Sequence, residues 1–174
     1  WGRGRGRGGG GVGVGKAGAH LWQPGDRGAG FPVIWCGEHT PCINFSQRGS
    51  CTKMVSIGLG QSQGGYAEYV RVGSNSGYRL PDAVSFREGA LVEPLAVGLE
   101  HARRGHPTKD DVALVVGCGA IGLGVIAGLK IAGIAPIVAA DFHPARREMA
   151  LRLGAALAPG PRALSPSAPF AALC

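Results

Sequence analysis

Residues 112–141, VALVVGCGAIGLGVIAGLKIAGIAPIVAAD, constrain the fold more than any other stretch of the chain. An apolar, strand-forming run over 112–116 meets the glycine cluster Gly117-Cys118-Gly119-Ala120-Ile121-Gly122. A segment of small, helix-compatible residues follows, and a second apolar run over 137–140 ends on Asp141. Strand, tight turn, helix, strand and acid, in that order, are what a dinucleotide-binding βαβ unit requires. In such a unit Gly117 permits the sharp turn, Gly119 lets backbone approach a pyrophosphate, and Gly122 lets the helix pack closely on the strand. Unpaired N–H groups at the helix start, around Ala120 and Ile121, then face the phosphates. Asp141, nineteen residues beyond Gly122, is placed to accept hydrogen bonds from the adenosine ribose. It would repel a phosphate there, so NAD is expected over NADP.

The same stretch has a rival reading. Residues 112–129 are eighteen in a row without a charge, the lower limit for a membrane span. Five glycines within them, Lys130 just after and Pro136 beyond argue against one. Composition adds other bounds. The 32 glycines and 12 prolines are unevenly spread: Gly and Arg dominate residues 1–11, and Pro, Ala and Ser dominate the last sixteen. The net charge of +7 is partly an end effect, because Arg3, Arg5, Arg7 and Lys16 precede the first acid, Asp26. It is therefore poor evidence for a nucleic-acid partner. The chain starts at Trp1 without an apolar signal core, and a cytoplasmic fragment is the expectation.

Residues 1–11 alternate glycine with arginine and are expected to form no regular structure, because glycine carries too much backbone entropy. As a functional alternative they resemble an arginine–glycine arm that binds RNA through charge and stacking. Gln23-Pro24-Gly25-Asp26-Arg27 predicts a turn between two short extended pieces. Five cysteines are an odd number, and three cluster in residues 36–51, CGEHTPCINFSQRGSC. Cys36, His39, Cys42 and Cys51, spaced x2, x2 and x8, can close a tetrahedron around Zn²⁺. A closed four-ligand site has no open position and would be structural. The alternative is three reduced loop cysteines and an unrelated histidine. Residues 65–72 alternate in the strand period. Ser85 and Glu88 form a capping box that starts a short helix. Glu93-Pro94 restarts a helix that ends at Gly105 and Pro107. A further helix follows Phe142-His143-Pro144, and after Gly154 the α/β pattern dissolves into prolines.

Together these segments resemble the zinc-dependent alcohol dehydrogenases of the medium-chain dehydrogenase/reductase family, nearest to the sorbitol, butanediol and threonine dehydrogenase branch. The matching pieces are QPGDR at Gln23, the cysteine lobe at Cys36, GGYAEYVRV at Gly64, ALVEPLAVGL at Ala90, VVGCGAIGL at Val115 and AADFHPARR at Ala139. The resemblance implies an α/β chain: a partial GroES-like, β-rich catalytic domain over residues 12–107, then an incomplete Rossmann domain over 108–157, with irregular ends at 1–11 and 158–174. It implies hydride transfer from a secondary alcohol to NAD, a small-molecule alcohol substrate, a homo-oligomer, and no membrane or nucleic-acid partner. By position, Gly117, Gly119, Ala120, Ile121 and Gly122 would hold the pyrophosphate, Asp141 the ribose, and Arg146 a basic place beside it. Glu93 matches the glutamate at the catalytic zinc, a direct or water-bridged ligand; it also suits the start of a helix before Pro94. In the cysteine lobe His39 stands where the family has its second cysteine, and the last loop is one residue longer. The catalytic cysteine and the Gly-His-Glu motif are expected upstream of Val12, where this chain has its Gly/Arg tract. His20, His101 and His106 match no motif and are read as surface or turn residues. The chain alone is expected to lack turnover.

Overall fold

The computed structural model describes residues 8–11, 13–43, 51–60, 62–65 and 67–160. The chain divides into two units, Trp1–Glu93 and Pro94–Cys174.

The first unit holds short strands and little helix. Its elements in chain order are β1 (Gly8–Gly10), β2 (Arg27–Gly30), β3 (Val33–Ile34), α1 (Thr40–Ile43), β4 (Val55–Ser56), β5 (Gly77–Arg79) and α2 (Phe86–Gly89). Strand β2 lies between β1 and β5 in an antiparallel sheet, and β3 pairs with β4. The predicted turn at 23–27 positions β2, which already begins at Arg27. Pro24 presets φ at the second turn position and Gly25 takes φ +95° at the third, a region that favours glycine. Asp26 accepts the Gln23 N–H at 2.7 Å and pairs with Arg79 at 2.8 Å. The Arg79 guanidinium in turn lies 4.9 Å over the Trp22 ring. The capping box forms as predicted, with Glu88 Oε2 accepting the Ser85 N–H at 2.8 Å and Ser85 Oγ accepting the Glu88 N–H at 3.2 Å.

Two expectations for this unit differ from the structure. Residues 8–10 of the Gly/Arg tract form β1, in register with Arg27, Gly28 and Ala29. Glycine disfavours a strand entropically but has no side chain to obstruct one, and here the turn ties it down. The Gly11 N–H donates to Asp26 O at 2.9 Å and the Gly25 N–H to Gly11 O at 2.8 Å. Residues 1–7 lie outside the described residues. The alternating stretch 65–72 shows no strand among the described residues. Alternation marks a sequence able to sit on a pleated surface, but a strand exists only where a second backbone pairs with it.

The second unit is the βαβ unit. Helix α3 (Val92–Arg104) leads into it, beginning two residues before Pro94. Strand β6 (Ala113–Val116), helix α4 (Ala120–Ile131), strand β7 (Ile137–Ala140) and helix α5 (Pro144–Leu153) follow. Strands β6 and β7 pair in parallel, from Ala113↔Ile137 to Val116↔Ala140; α4 is the crossover that parallel pairing needs. All four residues of β7 are buried, as a continuous apolar run predicts for a strand covered on both faces. The core gathers Ala102, Val115, Cys118, Ile126, Leu129, Ile137, Ala139 and Ala150. Burying a side chain such as Ile126 or Ile137 contributes about 1.5–3 kcal/mol each. Gly98 of α3 lies so close to α4 that a Cβ there would stand 2.5 Å from the Gly124 carbonyl carbon. The eighteen uncharged residues thus divide into strand, turn and the first ten residues of a twelve-residue helix. Among the described residues no helix is long and apolar enough to cross a membrane. The α/β pattern also runs past Gly154: Leu157 bridges Val138 in parallel, and the Ala139 N–H donates to Leu157 O at 2.8 Å. A second parallel pairing, a single bridge, lies there, just before Pro159. Residues 161–174 of the expected irregular tail lie outside the described residues.

Candidate functional site

Two clusters of predicted residues come together, one in each unit. In the second unit the glycine turn closes the end of β6. Gly117 takes φ +94°, and its N–H donates to Ala140 O at 2.7 Å, so the ladder continues one step past β6. Gly119 is the N-cap of α4 and has no side chain to cap it. A Cβ added at Gly117 or Gly119 would meet nothing within 4 Å, so both face open space. At Gly122 it would collide with the Gly117 carbonyl oxygen and contact Val115 Cγ1 at 3.6 Å. Gly122 therefore closes the turn upon itself, more than it brings the helix onto the strand. Ala120 and Ile121 are exposed in the first turn of α4. Together these residues leave an open cradle at a helix N-terminus, where backbone N–H groups without intrahelical partners favour an anion.

Asp141 is 8% exposed. Its Oδ2 accepts the Cys118 N–H at 2.8 Å and its Oδ1 the His143 N–H at 2.7 Å. The backbone bond from His143, then that from Cys118, hold the carboxyl below its ordinary range, with burial opposing. The acid predicted to read a ribose is thus also a clamp: it joins the middle of the glycine turn to the start of α5. Each oxygen keeps acceptor capacity for a hydroxyl, since a carboxylate oxygen has two lone pairs. Arg146 stands 3.7 Å from Asp141 Oδ2 and is largely exposed. Burial, then the Asp141 charge, pushes the Cys118 thiol up, so this cysteine is a core residue.

Sequence reasoning passed over Arg147. Its Nη1 donates to the carbonyls of Asp141 and Phe142, both at 3.0 Å, fixing the chain between β7 and α5. The signal was present: an arginine one turn into a helix can reach back to the carbonyls that precede it. Phe142, between Asp141 and the His143 cap, is 86% exposed.

The metal-type donors gather in the first unit. The ligand atoms of Cys36, His39, Cys42 and Cys51 all lie within 4.8 Å of one another. Gly37, at φ +73°, turns the chain directly after Cys36, and the Cys42 N–H donates to His39 O at 2.8 Å as α1 begins. Cys36 Sγ lies 3.5 Å from Cys42 Sγ and 3.9 Å from Cys51 Sγ. A tetrahedron with Zn–S bonds of about 2.3 Å has S···S edges of about 3.8 Å, so the donor set fits zinc. Backbone N–H groups of Cys36 and Lys53 hold the Cys51 thiol below its usual range, whereas burial, then its hydrogen bond to Cys51, pushes Cys42 up. Lys53 and Glu38 pair at 2.7 Å beside the cluster. Residues 44–50 of the lobe lie outside the described residues.

Glu93 is half-buried in the first turn of α3. Among the described residues no metal-type group of three or more side chains includes it. The described residues therefore do not assemble a catalytic zinc site around it. His20, His101 and His106 are exposed, as read from the sequence.

No protein-family model matches the chain. The chain is 38% identical to (R,R)-butanediol dehydrogenase of Bacillus subtilis over 138 residues, 79% of this chain and 38% of that protein. The crystal structure of 2R,3R-butanediol dehydrogenase from Bacillus subtilis matches with a TM-score of 0.66 at 37% identity, over 87% of this chain and 41% of that one. An alcohol dehydrogenase (rspB) from Escherichia coli CFT073, complexed with NADH, matches with a TM-score of 0.71 at 29% identity, over 86% of this chain and 43% of that one. This chain spans between about a quarter and two fifths of the length of the curated relatives it matches.

Proposed function

We propose, since this chain belongs to the zinc-dependent alcohol and polyol dehydrogenases of the medium-chain dehydrogenase/reductase family, that it supplies the adenosine and pyrophosphate half of an NAD site and a zinc-holding lobe. In the whole protein the reaction would be oxidation of a secondary alcohol, with hydride passing to the nicotinamide and a proton released to give a ketone. Bound zinc in the lobe would supply cross-linking of loop to strand, without an open position for substrate.

The observation that carries this reading is the glycine turn, held open at an α4 N-terminus and clamped by a buried acid at the end of the next strand. Gly117 and Gly119 leave room for a pyrophosphate against backbone, and the N–H groups at Ala120, Ile121 and Gly122 supply donors. Asp141 would accept from the ribose hydroxyls, which favours NAD over the phosphorylated cofactor. Arg146, on the same side of the acid, would sit against the adenosine end. Glu93 is carried over by position as a residue of the catalytic centre, to be completed by groups that the described residues do not gather around it. A small-molecule alcohol as substrate, a cytoplasmic setting and a homo-oligomer belong to the same reading. A nucleic-acid role for the Gly/Arg arm is not favoured, since the relatives are dehydrogenases.

Calorimetric titration of the purified chain with NAD and NADP tests the proposal. NAD is expected to bind more tightly than NADP, and alcohol-dependent NADH formation by the chain alone is expected to be absent. A folded chain that binds neither dinucleotide would remove the cofactor reading.

A further inference from the structure

We infer that His39 meets the lobe metal through Nδ1, leaving Nε2 to carry the ring proton, and that the site is a three-thiolate, one-imidazole centre of single negative charge. This rests on the reading of the lobe as a zinc site. The distances assign the nitrogen. His39 Nδ1 lies 2.9 Å from Cys36 Sγ and 3.9 Å from Cys42 Sγ, close to the sulfur–nitrogen edge of about 3.5 Å that a tetrahedral zinc with such ligands has. Nε2 also reaches Cys42 Sγ at 3.9 Å, but it is Nδ1 that closes on both sulfurs. Chain chemistry agrees. A cysteine sulfur is two bonds from Cα, Nδ1 is three and Nε2 is four. In a lobe of two-residue spacings, with the turn at Gly37 and the start of α1 fixing both neighbours of His39, the shorter-reaching nitrogen replaces a thiol with the least backbone displacement. The two ring nitrogens are chemically distinct, and whichever is not bound to metal must carry its proton to a partner or to water. His39 is only half-buried, so the ring is not sealed from solvent. Three thiolates on a dication leave a charge of −1, one unit less negative than four would, and Lys53, two residues beyond Cys51, is already paired with Glu38 at 2.7 Å.

The test is long-range ¹H–¹⁵N spectroscopy of the full chain, labelled at histidine and loaded with one equivalent of zinc. A His39→Cys variant and cobalt-substituted samples of both proteins serve as the comparison. The expected result is a metal-shifted Nδ1 with a protonated Nε2 on one histidine, absent in His39→Cys. The cobalt spectrum should change from a three-thiolate to a four-thiolate pattern on that substitution. A metal-shifted Nε2, or zinc held with the His39 ring untouched, would overturn the inference and leave the zinc reading standing. Failure of the folded chain to take up any zinc would overturn both, and metal content separates that case from the others.

Discussion

Gly119 and Gly122 sit three residues apart in one turn, and alanine at each is expected to do opposite things. At Gly122 the new methyl meets the Gly117 carbonyl oxygen and has Val115 Cγ1 at 3.6 Å. The first obstacle is backbone, so it cannot rotate away. Gly117 itself holds φ +94° and donates to Ala140 O, so the turn can yield only by breaking that bond. Overpacking of this kind costs about 1–3 kcal/mol or more, and alanine recovers about 1 kcal/mol of helix propensity. The net is a loss of about 2 kcal/mol, which for a unit of this size lowers Tm by about 8–16 °C. Dinucleotide binding should be lost with it. At Gly119 the methyl meets nothing within 4 Å, and φ −76°, ψ −172° suit any residue. Alanine is a poorer N-cap than glycine by about 0.5–1 kcal/mol, and its smaller unfolded-state entropy offsets about 0.4–1 kcal/mol. Stability should therefore stay within about 0.5 kcal/mol of the parent, while the methyl occupies the cradle and weakens NAD at least about tenfold, or 1.4 kcal/mol. Thermal unfolding by circular dichroism and calorimetric titration read the two effects separately. A Gly119→Ala chain that binds NAD like the parent, beside a stable Gly122→Ala chain, would refute the assignment of roles.

Asp141→Asn keeps the shape but offers one acceptor to two backbone donors, so an amide NH₂ must confront the N–H of Cys118 or of His143. NAD affinity should fall without a gain for NADP, and the Cys118 amide should lose protection in hydrogen exchange. The folded pKa of Asp141 is depressed, so its contribution to stability is present above the ordinary carboxylate range and is lost as pH falls through the folded value. Acid unfolding should be shallower in Asp141→Asn; identical acid limbs would remove the clamp from the argument. Gly98→Ala places a methyl 2.5–2.7 Å from backbone atoms of Gly124 and Val125, and urea unfolding should show a loss of about 2 kcal/mol after the helix-propensity gain. Chelation of the zinc-loaded chain should open the 36–53 lobe to proteolysis while leaving the α4–β7 amides protected; equal protection with and without metal would show that the lobe does not need it.

Local pattern was enough for the second unit. The βαβ order was legible because each signal sits next to its cause: the apolar run before the turn, the glycines within it, and the acid one strand later. The capping box at Ser85 and Glu88 and the turn at Pro24-Gly25 are equally local. So is the compact Cys36–His39–Cys42–Cys51 set, whose short spacings bring the donors together with little help from the rest of the fold. What tertiary structure decided involves partners far along the chain. Gly8–Gly10 became a strand because the turn at 23–26 ties the neighbouring backbone beside it. Residues 65–72, with a better strand pattern, found no ladder among the described residues. Gly122 proved to be required by a carbonyl within its own turn, Asp141 by two backbone donors, and Arg147 by two carbonyls that no periodicity announces. Composition and spacing report what a segment can pair with, whereas a hydrogen bond or a close approach depends on which backbone arrives there. In this chain the sequence determined the cradle and the donors, and the fold decided what holds them in place.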